Sequence, residues 1–195
     1  MPSKPTDYPR RHFLRWGLGC AASAVLAGFA PLAAGKSKDW RQVILDRDRW
    51  LSLERSETGE RAVFLYYRYG AGFDADGYRI ACHLLRDVKS GVAHRMDGRL
   101  LDLLFILQGW LRLNKLPFHI VILSGYRTPE HNAHLPKAAK KSQHMNGTAA
   151  DIRIPGLKVA DLKRLALAVG VGGVGSYAYS GFIHVDVGRV RKWEG

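Results

Sequence analysis

Ser142-Gln143-His144-Met145-Asn146-Gly147-Thr148-Ala149-Ala150-Asp151-Ile152-Arg153-Ile154, closed by Pro155-Gly156, is the stretch from which the fold is read. Its second half predicts a strand over 149–154, stopped by the Pro-Gly turn. Its first half pivots on Gly147, and the small residues that follow permit close packing. A tight loop can therefore hand the chain from His144 to a strand that returns Asp151 to it.

Working outward, residues 159–169 carry Leu162, Leu165, Ala166 and Val169 at helical spacing. A Gly-rich segment, 170–175, then leads into two short strands, 177–179 and 182–187, joined at Ser180-Gly181. On the other side, β-branched residues 118–123 lie between Pro117 and Ser124-Gly125 and predict a buried strand. Residues 97–113 place Leu100, Leu101, Leu104, Leu107, Trp110 and Leu111 three and four apart, with Asp97 as N-cap, and form the expected core helix. Further upstream a hairpin is expected from 50–55 and 62–67 around Glu57-Thr58-Gly59-Glu60, then a short helix over 77–88. Residues 130–141 read as part helix and part loop. The expected fold class is α+β: a compact single domain built on an antiparallel sheet, with helices packed on it.

The chain has 195 residues, 47% of them hydrophobic, which fits an ordinary globular domain and excludes a disordered tail or a collagen-like rod. Thirty Lys and Arg against 17 Asp and Glu give +13, an invitation to some polyanion. Part of that charge has another explanation. Arg10-Arg11-His12-Phe13-Leu14-Arg15 precedes an uncharged, Ala-rich run from Trp16 to Ala34 that turns polar at Lys36. This pattern resembles a twin-arginine export signal spanning residues 1–34, with the mature domain at 35–195. The run is Gly- and Ala-rich rather than Leu-rich, so cleavage is expected and no stable membrane anchor afterwards. The leader holds four basic residues and one acid, leaving about +10 on the mature chain. Cys82 would then be its one cysteine, expected as a buried structural thiol.

Three chemically capable stretches lie beside expected strands: Ser124-Gly125-Tyr126-Arg127, the segment from His144 to Asp151, and His184-Val185-Asp186. A catalytic zinc takes three N or O ligands and keeps one position open. His144, Asp151 and His184 would supply two imidazoles and a carboxylate. Any one of them alone is more simply a surface or core residue; their joint pattern carries the case.

That pattern, Ser142-x-His144-x-x-Gly147-x-Ala149-x-Asp151 with Phe182-Ile183-His184-Val185-Asp186 after it and Ser124-Gly125-Tyr126-Arg127 before it, resembles the D-Ala-D-Ala carboxypeptidase (hedgehog/LAS-type) group of zinc peptidases. Within that group it is most similar to the YcbK-like murein endopeptidases, over roughly residues 50–193. The resemblance implies one Zn2+ on His144, Asp151 and His184, hydrolysis of peptide bonds in peptidoglycan stems or cross-links, and a periplasmic location. It also implies that Arg127 holds a substrate carbonyl or carboxylate. The chain departs from better-known members, which place an acid three residues before the last ligand; here that position is Gly181, and Phe182 stands where a related pattern has histidine. Asp186, on the same strand face as His184, is therefore expected either as general base or as a partner that orients the ligand. His131 and His134 are spare candidates for substrate contact.

Lys137, Lys140, Lys141, Arg189, Arg191 and Lys192 flank the ligand segments and read either as a solvated face or as a positive rim that attracts peptidoglycan carboxylates. No nucleic-acid reading motif is present, so nucleic acid is not expected as a partner, and a monomer is. Two alternatives remain open beside the endopeptidase: a carboxypeptidase that trims stem peptides, and a cell-wall binding module that keeps the metal without chemistry.

Overall fold

A computed structural model describes residues 39–136 and 138–195. The export leader expected at residues 1–34, and Lys137 of the basic cluster, lie outside the described residues. Among the described residues no helix is long and apolar enough to cross a membrane.

Helix α1 (Trp40–Leu45) precedes a hairpin of β1 (Arg49–Arg55) and β2 (Arg61–Arg68), the short β3 (Gly72–Phe73) and α2 (Ala75–Leu84). Then come α3 (Gly98–Leu113), β4 (Ile120–Ser124), α4 (Pro129–His134), a 3-10 turn (Gln143–Asn146), β5 (Ala149–Arg153) and α5 (Val159–Val169). The strands β6 (Gly173–Tyr177), β7 (Phe182–Asp186) and β8 (Arg191–Glu194) finish the chain. All strands form one eight-stranded sheet in the order β3-β2-β1-β4-β5-β7-β6-β8.

The expected antiparallel sheet is mostly that, with two parallel pairings, β1 with β4 and β6 with β8. Period-two alternation explains its two faces. Leu51, Leu53, Phe64, Tyr66, Ile120, Ile122, Ala150, Ile152, Ile183 and Val185 all join one buried cluster with the apolar stripes of α3 and α5. The alternate positions of β5 and β7, among them Asp151, His184 and Asp186, point to the opposite face. Helix α3 begins where the sequence predicts: the Asp97 carboxylate accepts from the Arg99 N–H at 2.8 Å. The helix α5 runs over the residues expected.

Three expectations are corrected. The Gly-rich segment 170–175 is not all loop, since Gly173 and Gly175 lie inside β6, which is paired on both sides. The basic stretch around residue 191 is partly a strand, because its alternation is masked by charge. Helix α2 stops at Leu84, and its Cys82 is half-buried rather than buried, because the buried stripe of the helix runs through Gly77, Ala81 and Leu84 and Cys82 sits beside it. On β2, Tyr66 packs into the core, fully buried, and donates its hydroxyl to Asp102 at 2.8 Å.

Candidate metal centre

Register brings the proposed ligands together. Asp151 on β5 lies directly opposite His184 on β7, and Ser124 at the end of β4 pairs with Asp151 on its other side. Between Ile122 and Ser124 the ladder slips by a bulge, which turns the chain so that Arg127 faces back toward Asp151. His144 arrives from the 3-10 turn, whose Ser142 hydroxyl accepts from the His144 N–H at 3.3 Å. Gly147 ends that turn in the left-handed region, with φ 67°, and a Cβ there would also meet the Arg95 carbonyl oxygen at 2.6 Å. Glycine thus meets two demands at once.

All three side chains are buried, and their ligating atoms lie within 4.8 Å of one another. His144 Nε2 is 3.1 Å from His184 Nδ1 and 3.3 Å from Asp151 Oδ1, while His184 Nδ1 is 2.9 Å from Asp151 Oδ1. Ligands bonded at about 2.0–2.1 Å to a tetrahedral centre stand about 3.3 Å apart, so the three atoms fit such an ion. The outer nitrogens fix the tautomers. His144 Nδ1–H donates to the Gly125 carbonyl at 2.6 Å, and His184 Nε2–H donates to Asp186 Oδ2 at 3.0 Å. Both rings then turn a lone pair inward, where only a proton or a cation reconciles them with the carboxylate.

The electrostatics agree. Burial pushes the His144 imidazole below its ordinary range, against the pull of Asp151, so this ring is neutral as a ligand must be. For His184 burial also works downward, but hydrogen bonds to Asp151 and Asp186 outweigh it and raise the ring. Burial opposes the charge on Asp151, yet His144 and His184 hold it below the usual carboxylate range.

Arg127 donates Nη2–H to Asp151 Oδ2 at 2.6 Å and Nε–H to Ser124 Oγ at 2.8 Å. The resemblance gives Arg127 to the substrate; the fold first ties Nη2 to Asp151 on β5 and Nε to Ser124 on β4, and Nη1 makes no hydrogen bond among the described residues. Asp186 is fully buried. Besides His184 it accepts from Gly173 N–H at 3.0 Å, Gly188 N–H at 2.8 Å and both terminal nitrogens of Arg191 at 3.1 and 2.7 Å. Burial again opposes its charge, and these donors hold it below the ordinary range. His131 is turned away into a separate pair: its Nδ1 meets Asp87 Oδ1 at 2.9 Å. His134 is exposed and its Nδ1–H donates to the Glu130 carbonyl within α4. Sequence reasoning missed Arg191 and Trp193. Trp193 lies 5.2 Å from the His184 ring, centroid to centroid, and the Arg-x-Trp alternation opposite Gly-x-Gly was the available signal.

A mostly antiparallel sheet backed by helices thus carries a buried His-Asp-His cluster whose donor set suits a metal ion. Residues 44–193 match the model of the M15_2 peptidases, described as peptidoglycan L,D-endopeptidase MepK, and the chain belongs to that family. It is 34% identical over 151 residues to the peptidoglycan L,D-endopeptidase MepK of Escherichia coli K12, covering 75% of this chain and 81% of the relative. It is also 34% identical over 153 residues to the probable peptidoglycan L,D-endopeptidase MepK of Haemophilus influenzae, covering 76% and 81%. No solved structure matches.

Proposed function

We propose that this protein is a periplasmic, zinc-dependent endopeptidase that hydrolyses L,D-peptide cross-links in peptidoglycan, held as a monomer and exported by the twin-arginine route. The convergence of His144 Nε2, Asp151 Oδ1 and His184 Nδ1 carries this reading. The relatives' names supply the bond type.

His144, Asp151 and His184 would hold the metal, with Gly125, Arg127 and Asp186 fixing the direction of each. When bound, zinc supplies Lewis-acid polarisation of a carbonyl and a lowered pKa for water. Arg127 aims Asp151 through Nη2, and its unused Nη1 offers a donor to a substrate carbonyl or carboxylate. Of the two roles expected for Asp186, orientation of His184 is the better supported. Its carboxylate is enclosed, and it meets the ring nitrogen on the side away from the other ligands. Replacing Asp186 by Asn or Ala should weaken zinc binding about 10- to 100-fold, with turnover returning when zinc is raised. Tight zinc with no turnover would assign it the base role instead.

The test of the activity is digestion of purified sacculi by the protein, with and without chelator and added zinc, read by mass spectrometry of the muropeptides. An L,D-endopeptidase converts dimers to monomers in a zinc-dependent manner. Stems shortened by one residue would mean a carboxypeptidase, and intact dimers under every condition a binding module.

A further inference from the structure

The strand β8 is not a neighbour of the ligand strand β7; β6 lies between them. Two side chains of β8 nevertheless cross β6 to reach it. Register sets Arg191 beside Gly173 and Trp193 beside Gly175, and Gly175 is in turn opposite His184. A Cβ on Gly173 would meet Asp186 Oδ2 at 2.6 Å and Arg191 Cζ at 2.7 Å; one on Gly175 would meet Trp193 Cζ2 at 2.5 Å. Neither glycine has a positive φ, so backbone conformation does not call for them. They clear a lane across the strand.

Through that lane the Arg191 guanidinium makes its two-pronged contact with Asp186, and the Trp193 ring comes to rest against His184. Further contacts set the pair. Arg191 lies over the Trp193 ring at 5.0 Å, Arg191 Nη1–H also donates to the Arg189 carbonyl at 3.0 Å, and Trp193 Nε1–H donates to the Tyr177 hydroxyl at 3.1 Å. The planar fork matches both carboxylate oxygens, which a lysine ammonium cannot do.

We propose that β8 is a brace for the metal centre, in which Arg191 is a positioning residue: it locks the Asp186 carboxylate, which in turn aims His184 Nδ1 at Asp151 and His144. The residue touches no reacting atom and acts through the second and third links of a chain. This rests on the metal reading of His144, Asp151 and His184, and the two can fail separately.

The experiment uses the full chain, stripped and titrated with Zn2+ against a competing chelator and with Co2+ followed by its visible spectrum. The variants are Arg191→Met, Arg191→Lys and Gly173→Ala, each with a urea midpoint of the metal-free protein. Arg191→Met and Gly173→Ala should each bind metal about 10- to 100-fold more weakly and alter the Co2+ bands, and Arg191→Lys should recover only part of the loss. Metal affinity and Co2+ bands that match the parent in a folded Arg191→Met protein would overturn the brace, as would losses that merely track the metal-free stability across all three. If Arg191→Met does not fold, Arg191→Lys and Gly173→Ala are read by the same criteria. Failure of the parent chain itself to bind Zn2+ or Co2+ would instead remove the metal reading.

Discussion

Replacing Gly125 by Ala tests how the backbone below the metal centre is held. Gly125 gives its carbonyl to His144 Nδ1–H, and the next residue, Tyr126, donates its N–H to the Leu85 carbonyl at 2.7 Å. A Cβ at 125 would lie 2.8 Å from the Leu85 carbonyl carbon and nearer still to its oxygen. Ordinary contact begins at about 3.4 Å, so the segment must retreat by about 0.6 Å or more. That stretches the Tyr126 bond to about 3.3 Å, past the usual range for N–H···O, and shifts the acceptor that sets the His144 tautomer. Overpacking costs about 1–3 kcal/mol and the weakened hydrogen bond about 1, so urea unfolding of the metal-free protein should show a loss of about 2–4 kcal/mol. Zinc affinity by chelator competition should fall about tenfold or more in the same variant. A Gly125→Ala protein within about 0.5 kcal/mol of the parent, with unchanged zinc affinity, would refute the reasoning.

Three further outcomes follow from the same contacts. Burial pushes the Asp87 carboxyl up, but the Thr128 N–H and His131 outweigh it and leave it below its ordinary value. A folded value below the unfolded one contributes stability above about pH 4 that is lost as pH falls through the folded value. Urea midpoints from pH 7 to 3 should thus fall less steeply for Asp87→Asn than for the parent, from a lower start at pH 7; parallel curves would contradict this. Added zinc should raise the melting temperature with a stabilisation of about 2.7 kcal/mol at one hundred times its dissociation constant, and His144→Ala should abolish the dependence in calorimetry. Digestion of sacculi should slow as salt rises, because the exposed Lys140, Lys141 and Arg189 would draw in an anionic polymer; a flat salt profile would argue against steering.

Where local pattern and tertiary structure agree, the chain is legible. The stripe of α5, the Asp97 cap of α3 and the alternation of β5 and β7 are each written within a few residues, and the two faces of β5 and β7 follow from them. The candidate ligands His144, Asp151 and His184 come from the joint pattern of their motifs and the resemblance it carries, and the register of β5 and β7 sets Asp151 opposite His184. The β8 strand was hidden for the opposite reason. Its Arg191 and Lys192 read as a solvated charge run, and Gly173 and Gly175 read as breakers, because the partner of each lies on another strand. The direction of Arg127 was hidden too: its contacts with Asp151 and Ser124 depend on how β4 and β5 pair, which no local pattern shows. Helix α1, six residues long, is too short to announce itself by periodicity.

In the proposed metal centre, the direct opposition of Asp151 and His184 across β5 and β7 would make metal uptake a form of proofreading. A slip of one residue between these strands would set Ile183 or Val185 against Asp151 and drive the imidazole into the hydrocarbon interior. Such a pairing would keep only two of the three proposed ligands, so metal loading would report whether these strands had zipped together in register.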